Sequence, residues 1–362
     1  MTRSLRNLAL PHIPGLHAYT PGSQPSGGDW VKLNTNECPY PPSPKVGEAL
    51  RNFPYDKLRL YPNPRGEVLR QALADFYELS ADRVLLGNGS DDILNLLVRA
   101  FCWETHHAVF PEPSYSLYPT LVAIQNGQAR TLSFTQDMHL PEELFIGQPQ
   151  ETILFLTNPN APTGVLFSQH QIIRLLESFP GLVVVDEAYG EFARESAIPL
   201  LKEYPKLAVT RTFSKSYALA GCRLGYLLGS PELIGLIDRI RDSYNVNALT
   251  QVAGLAALAD QSYYQKIRSA IIAERNEFIR WCEEREWCTF PSEANFVFTA
   301  PKKEDLEGAE AAASAFAFLE KKKILVRYFP KLPLTAPYLR ITVGRPEEMA
   351  AVRQALAEWA KT

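Results

Sequence analysis

Between Val84 and Leu228 short runs of consecutive apolar residues alternate with stretches of helical spacing. The runs are VLL at 84–86, AVF at 108–110, ILFL at 153–156, LVVV at 182–185 (opening a strand expected over 182–192 and ending on acids), LAV at 207–209 and LGYLL at 224–228, with ARTLSF at 129–134 as a further strand. Helical spacing links Val68, Leu69, Ala72, Leu73 and Phe76, then Ile93, Leu94, Leu97 and Phe101, then Ile172, Ile173, Leu175, Leu176 and Phe179. Ser90 and Ser168 stand where helix N-caps are expected. Wholly apolar strands separated by amphipathic helices predict an α/β fold, with a mixed, mostly parallel sheet covered on both faces.

From Pro231 the pattern changes. Helices are expected over 231–242, 248–260 and about 263–286, strands at 295–300, 324–329 and 338–344, and helices near 308–322 and from 346. This is a smaller α+β unit, joined without a flexible linker. The reading assigns residues 1–30 to a proline-broken N-terminal arm, 45–250 to a large domain, and 31–44 with 251–362 to a small domain.

Composition narrows the function classes. The chain has 362 residues, 46% of them hydrophobic, and a net charge of −3 with both signs mixed along it. Nothing in that pattern suggests a nucleic-acid surface. No apolar run approaches the roughly 18 residues of a membrane helix, and no secretory leader is read at the start. The five cysteines show no CxxC spacing, so neither a disulfide framework nor a metal site is expected. A reducing cytoplasm fits this usage.

The candidate chemistry gathers where strands end. Lys215 lies between the end of the strand that starts with the apolar run 207–209 and a Gly/Ala-rich turn, beside Ser214 and eight residues before Arg223. One reading is a solvated loop lysine. The other is a Schiff-base lysine near an anion held by Ser214 and Arg223. Asp186 closes an apolar strand, either as a cap or as the counter-charge of a protonated ring nitrogen, with Tyr189 three residues on. Gly87-Asn88-Gly89-Ser90 opens a helix whose backbone N–H groups suit phosphate, although GxGxxG is not met. Asn34, Asn36 and Glu37 are many polar groups for a linker. Arg327 and Arg340 sit inside apolar strands, either in structural ion pairs or forked onto a substrate anion.

LNTNECPYP, LYPNPRG, GNGSDDI, PSYSLY, NPNAPTG, VVDEAY, TFSKSYALAGCRLGY, YNVN and LRITVG follow in order over roughly residues 30 to 345. With them the chain resembles the fold-type I, pyridoxal 5'-phosphate (PLP)-dependent aminotransferases of the class-II group, and within it the histidinol-phosphate branch. The resemblance implies that Lys215 carries PLP and shuttles a proton, that Asp186 pairs with the ring nitrogen, that Tyr189 bonds the phenolic oxygen and that Tyr115 stacks on the ring. It implies a phosphate site of Ser214, Arg223 and the amides of Gly89, Ser90 and Asp91. Tyr61 would come from the partner of a homodimer. Tyr19, Asn36, Arg327 and Arg340 would hold substrate, with Asn245 and Asn247 nearby. Histidinol phosphate and glutamate or 2-oxoglutarate are the implied substrates. One departure stands out: Ala161 occupies the place of the Asn that contacts the phenolic oxygen, and Asn160 or Asn158 is expected to take over, unless Tyr189 acts alone.

Rivals on the same scaffold are an aromatic-amino-acid aminotransferase and a threonine-phosphate decarboxylase. A non-catalytic regulator would lack Lys215 or Asp186, and a nucleotide-binding oxidoreductase would need the full glycine fingerprint.

Overall fold

The structure, a computed structural model, describes residues 4–16, 22–24 and 27–362; Tyr19 lies outside them. After short 3-10 turns comes β1 (Val31–Lys32), then α1 (Pro44–Arg51) and α2 (Glu67–Phe76). The central part runs β2 (Val84–Gly87), α3 (Ser90–Phe101), β3 (His107–Glu112), α4 (Leu117–Ile124), β4 (Ala129–Ser133), β5 (Glu151–Thr157), α5 (Gln169–Ser178), β6 (Leu182–Asp186), β7 (Leu207–Thr212) and β8 (Gly225–Leu228). These strands form one seven-stranded sheet in the order β2-β8-β7-β6-β5-β3-β4. Only β8 runs against its neighbours.

Period-two alternation decides what each face buries. Leu154, Leu156, Val183, Val185 and Val209 join one apolar cluster, while Ile153, Phe155, Val184 and Ala208 join another. The second cluster is closed by α3, α4 and α6 (Pro231–Asp238). The first continues without a break into the C-terminal helices and sheet.

Those are α7 (Ala248–Leu258), α8 (Gln261–Glu283), β9 (Cys288–Thr289), β10 (Phe296–Ala300), α9 (Gly308–Lys321), β11 (Ile324–Leu325), β12 (Arg327–Tyr328), β13 (Leu339–Thr342) and α10 (Pro346–Trp359). β12-β13-β10-β9 form an antiparallel sheet, and β1 pairs with β11 in parallel. The early segment 31–37 is thereby tied to the C-terminal part.

Three expectations are corrected. The run 324–329 is not one strand: it breaks at Val326 and serves two sheets. Ser90 is the first helical residue of α3, and the cap is Gly89 at φ 88°. The strand ending on acids stops at Asp186, and Gly190–Phe192 is a 3-10 turn. Ser168 does cap α5, in a capping box with Gln171.

Candidate active site

β5, β6 and β7 are parallel neighbours, so their carboxyl ends meet at one edge of the sheet, where ligands of such sheets bind. In register there lie Thr157, Asp186 and Thr210. Asp186 accepts hydrogen bonds from Thr210 Oγ1 at 2.9 Å and from Tyr118 Oη at 2.8 Å. It is 2% exposed, and its side-chain partners are hydroxyls. Burial pushes its carboxyl up to about 6, against the hydroxyl bonds that favour the anion.

Lys215 follows the end of β7. Its amine donates to the Thr35 carbonyl at 3.1 Å and lies 6.0 Å from the Tyr189 ring centroid. Burial, and then the charge of Arg340, lower it to about 8, while Glu37 opposes the shift. Lys215 is therefore not a solvated loop lysine.

The amine opens into a cavity of about 180 Å³ walled by Tyr115, Ala161, Tyr189, Ser214 and Arg223. Shared walls at Thr35, Tyr115, Ala161, Tyr189 and Lys215 join it to a second chamber of about 190 Å³. Asp186 stands two hydrogen bonds behind the first, since Tyr118 links it to Thr157 in the wall.

At one end Gly89, Ser90 and Asp91 open α3 against Arg223. Arg223 itself takes the left-handed conformation, φ 52°. Its Nη1 donates to Ser214 Oγ at 3.4 Å and its Nη2 to the Asp91 carboxylate at 3.2 Å. Tyr115 Oη also donates to Asp91, at 3.0 Å. A Cβ on Gly89 would stand 2.6 Å from the guanidinium, so only glycine allows that approach. At the other end Arg327 and Arg340 face each other across β12 and β13. Both guanidinium groups lie over Phe329, at 5.5 and 5.3 Å from its centroid. Arg340 donates to the Asn34 carbonyl at 3.0 Å. Arg327 has no ion pair among the described residues.

Asn36 donates from Nδ2 to Tyr189 Oη at 2.8 Å, and Thr342 Oγ1 donates to its Oδ1 at 3.0 Å. The small sheet thus fixes a group that aims Tyr189. Asn160, expected to stand in for the missing Asn, does not line either chamber. It donates to the Pro113 carbonyl at 3.1 Å and accepts from Thr163 at 2.7 Å. Asn158 is consumed in the same way by the Phe167 backbone. Both amides hold their own loop together, and Ala161 is what faces the cavity. Asn247 caps α7, and Asn245 binds the Leu86 carbonyl; neither lines the Lys215 cavity. Tyr61 is 81% exposed and stacked on Tyr244, away from this chain's own cavity.

Sequence reasoning missed Tyr118, Thr210 and Thr35. Tyr118 carried a signal: it follows Tyr115 by three, so on a helix the two share a face. α4 was not anticipated there because prolines crowd the segment.

A cofactor such as PLP needs a nucleophilic amine, an anion site and a buried acid for its ring nitrogen. The residues present fit that group, because Asp186 is a deeply buried carboxylate whose side-chain partners are hydroxyls and which burial raises.

The profile of aminotransferase class I and II matches residues 28–356. A histidinol-phosphate aminotransferase of Syntrophotalea carbinolica is 42% identical over 350 residues, 96% of this chain and 98% of that one. One from Geobacter sulfurreducens is 40% identical over 351 residues, 96% and 98% of the two chains. A solved histidinol-phosphate aminotransferase of Sinorhizobium meliloti, in complex with pyridoxal 5'-phosphate, superposes with a TM-score of 0.81 at 27% identity, over 91% of each chain. The chain belongs to the class I and II aminotransferase family.

Proposed function

We propose that the chain moves an amino group between L-histidinol phosphate and 2-oxoglutarate, using pyridoxal 5'-phosphate, to give imidazole acetol phosphate and L-glutamate. The observation that carries this reading is the position of the Lys215 amine, between one anion-binding end and a second cationic end in joined chambers.

When bound, PLP supplies a carbonyl for the amine and a ring that withdraws electrons from the substrate carbon. Ser214, Arg223 and the amides of Gly89, Ser90 and Asp91 would hold its phosphate, with Arg223 turning from the Asp91 carboxylate toward it. Tyr115 would cover the ring face, Tyr189 would donate to the phenolic oxygen and Asp186 would keep the ring nitrogen protonated. Asn36 acts through Tyr189. Lys215, lowered to about 8, holds a usable neutral fraction at neutral pH and carries the proton from the substrate carbon. Arg327 and Arg340 fork onto the phosphate of one substrate and the carboxylate of the other.

The active unit is a homodimer in which Tyr61 reaches the partner's site. Its exposure beside exposed Tyr55, Leu58 and Leu60 supports this. The large domain spans 45–250, and residues 31–44 with 251–362 form the small one. Five free cysteines suit a cytoplasmic protein.

The test is a half-reaction of the purified protein with histidinol phosphate, phenylalanine and threonine phosphate, followed by 2-oxoglutarate. Transamination of histidinol phosphate is expected, and Lys215→Ala abolishes it. An active Lys215→Ala variant, or CO2 release from threonine phosphate, would overturn the reading.

A further inference from the structure

Behind the cavity wall lies a buried ion cluster that the proposed reaction does not touch. Arg211, in β7, reaches one carboxylate oxygen of Glu187 with Nε at 2.9 Å and Nη2 at 2.5 Å. Its Nη1 lies 3.1 Å from Glu191. The three side chains are only 5%, 1% and 6% exposed. Both acids belong to the turn that leaves β6: Glu187 follows Asp186, and Glu191 comes two residues after Tyr189. Arg211 stands four residues before Lys215. One side chain therefore bridges the segment that presents Asp186 and Tyr189 and the strand that presents the lysine.

The rest of the turn is fitted to this grip. Glu187 accepts from Ser196 Oγ at 2.8 Å and from the Ala197 amide at 2.5 Å, and its own amide donates to the Thr210 carbonyl at 2.9 Å. A Cβ on Gly190 would meet the guanidinium at 2.8 Å, so the backbone lies against its face. The hydroxyls of Tyr77 and Tyr226, 2.6 Å apart, belong to the same buried surroundings. Two carboxylates and one guanidinium are expensive to desolvate, so such a cluster is weak evidence for stability, and a fixed geometry is the alternative use.

We propose that Arg211 is a positioning residue for the reaction: by hydrogen-bonding Glu187 and pairing its charge with Glu191 it sets the 186–191 turn against β7, so that Asp186 and Tyr189 meet the ring carried by Lys215. This rests on the PLP reading above. Arginine is required because its planar guanidinium bonds Glu187 through Nε and Nη2 while Nη1 keeps its charge beside Glu191, whereas a lysine ammonium is a point charge on a flexible stem.

The experiment compares wild type with Arg211→Lys, both reconstituted with pyridoxal 5'-phosphate. Folding is followed by circular dichroism, cofactor by its dissociation constant and by the pH midpoint of its visible absorbance, and turnover by kcat and KM for glutamate. The variant is expected to fold, to bind the cofactor about tenfold more weakly and to lose about tenfold in kcat at little-changed KM. Its absorbance midpoint moves up by about one pH unit, because Tyr189 no longer donates squarely and the phenolic oxygen stays more basic. A folded variant with a lower thermal midpoint but an unchanged pH midpoint and unchanged kcat per bound cofactor would overturn the proposal. If Arg211→Lys does not fold, Glu191→Gln keeps the volume and leaves the Glu187 fork in place. It should move the midpoint the same way by less, and an unmoved midpoint there overturns the proposal too. A wild type that takes up no cofactor would instead sink the PLP reading, and this inference with it.

Discussion

Asp186 and Lys215 are each held away from their ordinary ionisation, and in opposite senses. Burial raises Asp186 from 3.8 to about 6 and lowers Lys215 from 10.5 to about 8. For Asp186 the folded chain keeps its proton to higher pH than the unfolded chain, so the cost of burial is absent in acid and grows as pH rises from 3.8 to about 6. For Lys215 the unfolded chain binds the proton more tightly. Its cost is full below about 8 and is relieved as pH climbs toward 10.5. Both costs coincide between about 6 and 8, where the cofactor's charges would offset them. Asp186→Asn is therefore expected to raise the thermal midpoint of the cofactor-free chain at pH 7 but not at pH 4, and to weaken PLP binding at pH 7. Melting curves and cofactor titrations at both pH values check this. Asn160→Ala belongs to the same scale. It loses the bonds to Pro113 and Thr163, at about 1–3 kcal/mol for buried polar groups left unpaired. Denaturant unfolding should record that loss. Weaker cofactor binding at intact stability would return Asn160 to the site.

At the scale of elements, the strand ends were the legible part. VLL, ILFL, LVVV and LAV all became strands of the large sheet, because an apolar run with polar residues at its end has few other places to go. Lys215, Asp186, Arg223 and Ser90 fell beside one another for that reason. What could not be read was where pairing stops. LVRYF divides at Val326 because β1 claims one half and β13 the other, and no local signal marks that choice. Asn160 shows the same limit, since in the folded loop its amide donates to Pro113 and accepts from Thr163, partners that no local signal marks. Gly89 tests the turn into α3. With φ at 88° and a Cβ site 2.6 Å from Arg223, Gly89→Ala strains the turn and pushes the guanidinium away. A cost of about 1–3 kcal/mol for such strain would raise the dissociation constant for PLP about tenfold. Unchanged affinity would place the phosphate elsewhere.

At the scale of the whole molecule, the active site draws on segments far apart in sequence: residues 34–37, the ends of β5, β6 and β7, and β12 with β13. The proposed dimer adds Tyr61 from outside. Shared sites make a definite expectation for mixed dimers. Lys215→Ala and Tyr61→Ala chains are each expected to be impaired, yet a mixed dimer holds one site with both native residues. Coexpression should recover activity, and the two proteins kept apart should not. Failure to recover, with mixed dimers demonstrated by differential tagging, would remove Tyr61 from the partner's site. No helix among the described residues is long and apolar enough to cross a membrane.

Sequence alone determined the α/β alternation, because buried parallel strands must be apolar throughout. It also determined which lysine, acid and arginine stand at strand ends, since that follows from where apolar runs stop. The partners of those groups were decided only by tertiary structure. Tyr118 on Asp186, Asn36 on Tyr189, Thr35 on Lys215 and Asp91 on Arg223 are contacts between elements separated by 68, 153, 180 and 132 residues. Hydrogen bonds at such separations depend on sheet order and helix placement, which no local pattern encodes. Lys215 could be named from the sequence as the candidate reactive amine. That it sits at about 8 rather than 10.5 is a property of the buried surroundings and Arg340, and so of the fold.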